Sequence, residues 1–300
     1  MTDADFEYLR GYLKQKSGLA LTPEKRYLIE SRLLPVCRRF GIATLSDLVG
    51  ALRLARAGGL DKAVVEAMTT NETFFFRDRT PFDLFRDTLL PQALAARAGV
   101  RRLRIWCAAA STGQEPYSLT MLLSEAAPLL AGWRVELVAT DLSTEVLERA
   151  KLGLYNQFEV QRGLPVQLML KYFEQVGEQW RLRPALCQMV DYRPLNLLDR
   201  FDHLGTFDIV YCRNVLIYFD APTKADVLAR IAAQLAPDGA VLLGAAETVI
   251  GITDALSPDP KHRGLYRHGQ SRAVAPAPAP ALAPAPALAT APSLPRFAMR

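Results

Sequence analysis

The first 70 residues show the hydrophobic spacing of helices rather than of strands. Thr22-Pro23-Glu24 predicts a helix N-terminus, with a capping threonine and a proline in the first turn. Beyond it, apolar residues recur every three or four positions, at Ile29, Leu33, Val36 and Phe40. That spacing places them on one face of a helix. The segment therefore predicts an all-helical N-terminal domain.

From about residue 100 onward, short apolar runs alternate with amphipathic stretches. Strands are predicted at 103–107, 135–140, 188–192, 207–212 and 240–243, and helices from 115, through 146–147 and over 222–235. We expect Pro237-Asp238-Gly239 to form the turn before the last of these strands. Strands that alternate with helices predict a mostly parallel sheet with right-handed crossovers. Such sheets bind ligands at the carboxyl ends of their strands.

The composition is that of a globular protein, because half of the residues are hydrophobic. No apolar run reaches the roughly 18 residues that would predict a membrane span. The acidic N-terminus lacks the residue order of a secretion signal, so we expect a cytoplasmic protein.

The four cysteines are widely separated and form no C-x-x-C pair. They favour reduced core thiols, and no metal site is expected.

Charge is distributed unevenly along the chain. The net charge is +5, of which residues 1–70 carry +3 and residues 271–300 carry +3, which leaves −1 for residues 71–270. A strongly basic groove of the nucleic-acid-binding kind is therefore not expected.

Residues 271–300 alternate alanine and proline over much of their length. This composition predicts an extended, disordered tail.

A turn of small residues, 108–113, follows the first predicted strand, and the second predicted strand ends at Asp141. This order is typical of a nucleoside-binding half-sheet, in which the acid accepts hydrogen bonds from ribose hydroxyls. Ala109, Ser111 and Gly113 stand where a G-x-G-x-x-G motif has three glycines, and no Lys-Ser/Thr pair follows. A nucleoside without a pyrophosphate fits this turn better, and S-adenosylmethionine is such a ligand.

Two further segments fall at the same predicted edge of the sheet. Asn196-Leu197 and Asn214-Val215 each follow a predicted strand. Their side-chain amides could bond an adenine edge or an amino-acid group. Alternatively, each asparagine could simply close a turn.

Residues 69–78, with the sequence T-T-N-E-T-F-F-F-R-D, place polar groups beside three phenylalanines and an arginine. Three adjacent aromatic side chains cannot share one helix face, so they must pack against different elements. A purely structural junction would explain the phenylalanines but not the polar residues. Arg77 could pair bidentately with a carboxylate of the cofactor or of a substrate.

Four segments together resemble the CheR-type chemotaxis receptor methyltransferases, over about residues 5–268: T-T-N-E-T-F-F-F-R-D at 69–78, A-A-A-S-T-G-Q-E-P-Y-S at 108–118, P-L-N-L-L at 194–198 and C-R-N-V-L-I-Y-F-D at 212–220. The resemblance implies methyl transfer from S-adenosylmethionine to glutamate side chains of bacterial chemoreceptors. It also implies an α/β fold, with a Rossmann-like class I methyltransferase sheet of seven strands. An all-α N-terminal domain and a small inserted antiparallel β-subdomain would complete it.

Carried over by motif, the resemblance implies that Arg77 and Tyr218 position the reacting groups. The cofactor would be bound by Asn71, Thr73, Arg77, Glu115, Asp141, Asn196, Leu197, Asn214 and Val215. The expected domains are a helical domain at 1–75 and a methyltransferase domain at 76–270. The β-subdomain is expected at about 157–187, and the tail at 271–300.

Two segments depart from the family pattern. Where many members have Gly-His-Ser-Glu, this chain reads Gly244-Ala245-Ala246-Glu247, so Glu247 receives no catalytic role. Members that bind a receptor's C-terminal pentapeptide have a glycine-rich loop in the β-subdomain. Here residues 175–180 are short and contain one glycine. We therefore expect an enzyme that does not depend on that tether.

Lys25, Arg32 and Arg39 are spaced seven residues apart beside the apolar face of their helix. They form either a solvated surface or a docking surface for acidic receptor helices.

We expect a monomer that binds no nucleic acid and inserts no segment into the membrane. Two alternatives are methylation of a small carboxylic acid or of another protein, and a sensor or scaffold that binds S-adenosylmethionine without transferase activity.

Overall fold

The computed structural model describes residues 1–54 and 58–269, so the predicted tail lies outside it. The N-terminal domain contains the helices α1 (Asp3–Ser17), α2 (Arg26–Arg39), α3 (Leu45–Arg53) and α4 (Leu60–Met68). Its core is formed by apolar side chains from all four helices, among them Leu9, Ile29, Leu48 and Val64. The predicted all-helical N-terminal domain is confirmed.

The predicted cap at Thr22 is wrong in detail. Pro23–Lys25 form a short 3-10 turn, and α2 begins only at Arg26. The side chain of Thr22 makes no capping hydrogen bond. By contrast, Thr44 caps α3, since its side chain accepts a hydrogen bond from the backbone amide of Asp47, and the Asp47 carboxylate accepts the amide of Thr44.

In the part of the chain that the structure describes, the second domain is built on ten strands: β1 (Arg102–Cys107), β2 (Arg134–Asp141), β3 (Leu154–Asn156), β4 (Phe173–Val176), β5 (Gln179–Leu182), β6 (Val190–Pro194), β7 (Phe207–Cys212), β8 (Leu235–Leu243), β9 (Leu256–Pro258) and β10 (Leu265–His268). Seven of them form one sheet in the order β6-β2-β1-β7-β8-β10-β9. The first five in that order run parallel, and β10 is antiparallel to both neighbours. The seven-stranded sheet is confirmed.

The helices of this domain are α5 (Thr80–Leu84), α6 (Leu90–Ala96), α7 (Gln114–Glu125), α8 (Thr144–Leu152), α9 (Gln157–Gln161), α10 (Val166–Tyr172), α11 (Pro184–Cys187) and α12 (Ala221–Ala233). A π-helical turn at Phe85–Leu89 joins α5 to α6.

Successive strand residues point to opposite faces of the sheet. Ile105 and Cys107 therefore join one apolar core, and Trp106 joins the other. Full burial of a large apolar side chain such as that of Ile105 contributes about 1.5–3 kcal/mol to the stability of the fold.

The strand order reverses between β1 and β7. From β1 the chain proceeds to β2 and β6 on one side, whereas β7 and β8 lie on the other. The loops that leave β1 and β7 therefore diverge and open a crevice at the carboxyl ends of these strands. The turn 108–113 and the segment 213–218 lie at that crevice.

The small inserted sheet has the order β3-β5-β4 and is antiparallel throughout. Its first strand begins at Leu154, three residues before the predicted start of the β-subdomain at 157. The missed strand is only three residues long and follows α8 directly, so no hydrophobic period distinguishes it from the helix end. The residues Gly177 and Glu178 alone connect β4 to β5.

Pro237-Asp238-Gly239 does not form the predicted turn outside a strand. These residues lie inside β8, which begins at Leu235. Leu235 pairs with Phe207 and Ala240 pairs with Ile209, so the pairing register with β7 shifts across residues 236–239 of β8. No helix among the described residues is long and apolar enough to cross a membrane.

Candidate functional site

A cleft opens at the carboxyl ends of β1, β2, β6 and β7. It brings together all the residues that the sequence motifs single out for the cofactor or the reaction: Asn71, Thr73, Arg77, Glu115, Asp141, Asn196, Leu197, Asn214, Val215 and Tyr218. The N-terminal domain supplies further lining residues, Ser17, Leu19 and Met68. The sequence carries no periodicity or motif that would have predicted the contribution from α1.

The turn after β1 brings backbone close to the cleft. Ala108, Ala109 and Ser111 line the cleft with the small side chains of alanine and serine. Gly113 precedes α7 with a φ of 94°. A Cβ atom there would lie 2.8 Å from the Tyr192 hydroxyl, so glycine is needed both for the backbone conformation and for the packing.

The Asp141 carboxylate holds two loops together at the end of β2. One oxygen accepts the Ser111 amide at 2.8 Å and the other accepts the Ser143 amide at 3.0 Å. Burial raises the pKa of this carboxyl, and the two amides oppose the rise. Each carboxylate oxygen can accept more than one hydrogen bond, so the group retains capacity for a ligand hydroxyl.

Glu115 and Arg213 form a buried ion pair at the base of the cleft. The Arg213 side chain is 1% exposed, and its Nη1 donates to Glu115 Oε2 at 2.7 Å. Nη2 of Arg213 donates to Asp78 Oδ2 at 2.7 Å and to the carbonyl of Arg77 at 2.9 Å. Burial raises the pKa of the Glu115 carboxyl, and the Arg213 guanidinium opposes that rise.

Arg213 was not singled out from the sequence, although it lies within the motif at 212–220. A usable signal was present, because Arg213 directly follows the buried strand β7. A charged residue at the end of such a strand requires a partner of opposite charge.

The three phenylalanines pack against three different elements, as their adjacency predicts. Phe75 is fully buried against Tyr155 of the small sheet, and Phe76 contacts Phe82 of α5. Phe74 lies beneath the guanidinium of Arg162, at 4.4 Å from carbon to ring centroid. These contacts hold the segment 71–77 in place.

Arg77 lines the cleft beside the Phe74 ring. Its Nη1 donates to the carbonyl of Glu72 at 2.8 Å. Within residues 1–54 and 58–269, it forms no ion pair. The guanidinium therefore retains donors for a carboxylate ligand.

Asn196 lines the cleft, and its side chain also makes two hydrogen bonds within the protein. Its amide nitrogen donates to the carbonyl of Lys16 at 2.7 Å, and its oxygen accepts the amide of Leu198 at 3.0 Å. The side chain thus closes a turn and joins α1 to the sheet domain, the alternative that the sequence left open.

The segment Asn214–Tyr218 forms the wall of the cleft after β7. Asn214 has a φ of 59°, in the left-handed region that asparagine tolerates better than most residues. The N-terminal domain supports the end of this segment, because the amide of Ala20 donates to the carbonyl of Tyr218 at 2.8 Å. Lys14 also pairs with Asp220 at 2.6 Å.

The basic stripe of Lys25, Arg32 and Arg39, of which Lys25 lies in the 3-10 turn before α2, is not uniform. Lys25 and Arg39 are exposed. Arg32, however, donates to the carbonyls of Met68 and Thr69 at 2.8 and 2.9 Å. It therefore fixes the connection from α4 into the 69–78 segment.

The residues of the cleft fit S-adenosylmethionine. This molecule presents ribose hydroxyls, an ammonium group and a carboxylate. The cleft provides Asp141 to accept from hydroxyls, the second oxygen of Glu115 to accept from an ammonium, and Arg77 to donate to a carboxylate. Complementary groups of both signs are thus present within one site.

Comparison with known proteins gives two family matches. Residues 4–69 match the all-alpha domain of CheR methyltransferases, and residues 71–263 match their SAM binding domain. The chain is 45% identical to chemotaxis protein methyltransferase 1 of Pseudomonas aeruginosa, over 84% of this chain and 93% of that protein. It is 42% identical to chemotaxis protein methyltransferase Cher2 of Pseudomonas putida, over 83% and 92%. With the Escherichia coli chemotaxis protein methyltransferase the identity is 35%, over 82% and 85%.

The buried pair predicts a pH-dependent loss of stability. Replacing Arg213 by Met should lower the free energy of unfolding by about 3–5 kcal/mol near neutral pH, because Glu115 would remain buried without its partner. The pKa of Glu115 would rise further above its unfolded value. Stability would then fall as the pH rises through that pKa, so urea denaturation should show a larger loss at about pH 8 than at about pH 5.5.

The double variant Arg213→Met/Glu115→Gln serves as the control for this prediction. It removes the unpaired carboxylate and should recover part of the lost stability, with a weaker dependence on pH. An equal loss at both pH values in the single variant would contradict the assignment.

Proposed function

The chain belongs to the CheR methyltransferase family, and from this premise we propose that it methylates glutamate side chains of chemoreceptors with S-adenosylmethionine. The products would be glutamyl methyl esters and S-adenosylhomocysteine. Such a reaction would take place in the cytoplasm and serve sensory adaptation. The names of the relatives, chemotaxis protein methyltransferases, support a substrate in the chemotaxis system.

The observation that carries this proposal is the position of Arg77. It is a cation without an ion pair among the described residues, in a cleft that also contains Tyr218. These two side chains reach the cleft from different parts of the chain, one before the sheet and one after β7. Both can donate hydrogen bonds to a carboxylate without exchanging a proton.

The chemistry requires alignment rather than proton transfer. A glutamate carboxylate is already ionised at neutral pH, so no base has to activate it. Bound S-adenosylmethionine supplies a methyl group on a positively charged sulfur. A carboxylate oxygen forms the new bond to the methyl carbon while the carbon–sulfur bond breaks, and its electron pair stays on the sulfur. Positioning can lower such a barrier by roughly 7–11 kcal/mol in favourable systems.

We assign Arg77 and Tyr218 to this positioning. In the proposed complex Arg77 holds the carboxylate of the cofactor or of the acceptor, and Tyr218 orients the acceptor glutamate. Asn71, Thr73, Glu115, Asp141, Asn214 and Val215 complete the cofactor site, and Asn196-Leu197 form its outer wall beside α1. Two alternative functions are methylation of a different acceptor and binding of S-adenosylmethionine without methyl transfer. Labelled cofactor distinguishes them from receptor methylation.

Methyl transfer to a chemoreceptor can be tested with labelled cofactor. The wild-type chain should place base-labile label on the receptor fragment, because methyl esters hydrolyse in base. Arg77→Ala should lower kcat/KM by about 10²-fold through misalignment. Tyr218→Phe should lower it by roughly tenfold or more, the effect of losing one hydrogen bond to a charged group.

The matched control is Arg86→Ala, which removes an exposed arginine paired with Asp83 and Asp87. It should leave the methylation rate unchanged. Wild-type turnover and cofactor affinity in Arg77→Ala would refute its assignment. Label on a small acid instead, or cofactor binding without transfer, would support one of the alternatives.

We further propose that Lys25 and Arg39 guide acidic receptor helices to the cleft. Reversing both charges, Lys25→Glu with Arg39→Glu, should weaken receptor methylation mainly through KM and more strongly at low salt. Cofactor affinity should stay unchanged. Arg32 is left in place because its reversal would also disturb the backbone at 68–69.

Reversal of Lys261 and Arg263, two exposed cations outside the cleft lining, changes the net charge equally and provides the control. Unchanged KM in the Lys25→Glu/Arg39→Glu variant, or equal weakening in both variants, would contradict a docking role for α2.

We also propose that substrate recognition does not use a receptor C-terminal pentapeptide. The two-residue connection between β4 and β5 supports this, because it offers no extended glycine-rich loop for a peptide. Titration of a receptor-tail pentapeptide into the protein should give no saturable heat in calorimetry. A measurable affinity would refute the proposal, and binding of S-adenosylhomocysteine to the same sample provides the positive control.

A further inference from the structure

Glu247 lies just beyond the end of β8 and is 9% exposed. One of its carboxylate oxygens accepts the backbone amides of Asn214 and Gly244, at 2.8 and 2.7 Å. The other oxygen accepts the amides of Val215 and Ile217, at 3.0 and 3.3 Å. A single side chain thus satisfies four backbone donors, three of them in the cleft wall that follows β7.

This wall has little support of its own. Asn214 has a left-handed φ of 59°, a conformation that asparagine tolerates but that does not continue into regular helix or strand. Within Asn214–Tyr218, the regular structure that the described residues form is one 3-10 turn, Leu216–Tyr218. Buried amides of such a segment need partners, and an ionised carboxylate is a strong acceptor.

Gly244 allows the carboxylate to approach. A Cβ atom at this position would lie 2.7 Å from Glu247 Oε2, 2.7 Å from the side-chain nitrogen of Asn214 and 2.9 Å from its backbone nitrogen. Any side chain there would displace Glu247 or the wall itself. The close contact of Gly244, Asn214 and Glu247 therefore depends on the missing side chain.

Glu247 is not among the residues that line the cleft, whereas Asn214, Val215 and Tyr218 are. We propose that Glu247 is a positioning residue, which holds the Asn214–Tyr218 wall in the conformation that binds the cofactor and aligns the acceptor. It acts through the wall and touches neither reacting group. The inference depends on the cofactor site and not on the identity of the acceptor.

Glu247→Gln tests this with a minimal change of shape. Either orientation of the amide places its NH₂ group against two of the four backbone donors, so the wall must shift. We expect S-adenosylhomocysteine to bind roughly tenfold or more weakly in calorimetry. The kcat of the folded variant should fall by about 10²-fold, as for other small misplacements of reacting groups.

Glu136→Gln is the matched control. Glu136 also receives several hydrogen bonds, from Arg102 and Arg104, but it lies in the first half of β2, away from the cleft. This variant should lower the melting temperature and leave cofactor affinity and kcat unchanged. The comparison separates loss of stability from loss of positioning.

Gly244→Ala provides a second route to the same displacement and remains informative if Glu247→Gln does not fold. It should weaken cofactor binding while Glu247 is still present. Wild-type cofactor affinity in either folded variant would overturn the proposal. Cofactor affinity is measured without an acceptor, so failure of the proposed glutamate methylation would leave this test intact.

Discussion

Arg213 lies where the end of strand β7, the segment 69–78 and helix α7 meet. Its guanidinium is almost wholly buried and joins Glu115 of α7 to Asp78 and to the carbonyl of Arg77. Because an unpaired buried charge costs several kcal/mol, these groups are stable only when they are assembled together. The position of Arg77 in the cleft therefore depends on a cation that follows β7.

The same principle operates on the neighbouring wall of the cleft. There the Glu247 carboxylate accepts backbone amides, and the N-terminal domain supports the far end through Lys14 of α1 and through Ala20, which follows α1. Two buried charges beside the cleft, Arg213 and Glu247, thus hold backbone groups of its walls. Groups held in this way lose little freedom when a ligand arrives, which is the condition for catalysis by alignment.

Residue patterns predicted the fold and the residues that line the cleft. They were less informative about which hydrogen bonds each side chain makes. Asn196, expected beside adenine, lines the cleft as predicted, but no pattern indicated that its side chain also closes a turn and bonds to α1. Arg32, expected on a free basic stripe, bonds to the backbone after α4. Arg213 and Glu247 received no role, although each fixes one wall. A motif identifies residue types at a strand end, whereas hydrogen-bond partners come from elsewhere in the chain.

The sequence by itself determined the helical N-terminal domain, the parallel sheet and the edge at which polar residues collect, because these follow from local hydrophobic period and strand order. Only the tertiary structure decided that Pro237-Asp238-Gly239 lie inside a strand, that α1 lines the cleft, and which charges pair. Those features depend on contacts between residues up to 180 positions apart, as between Lys16 and Asn196. Such contacts leave no local pattern, since their energy exists only after burial brings the groups together.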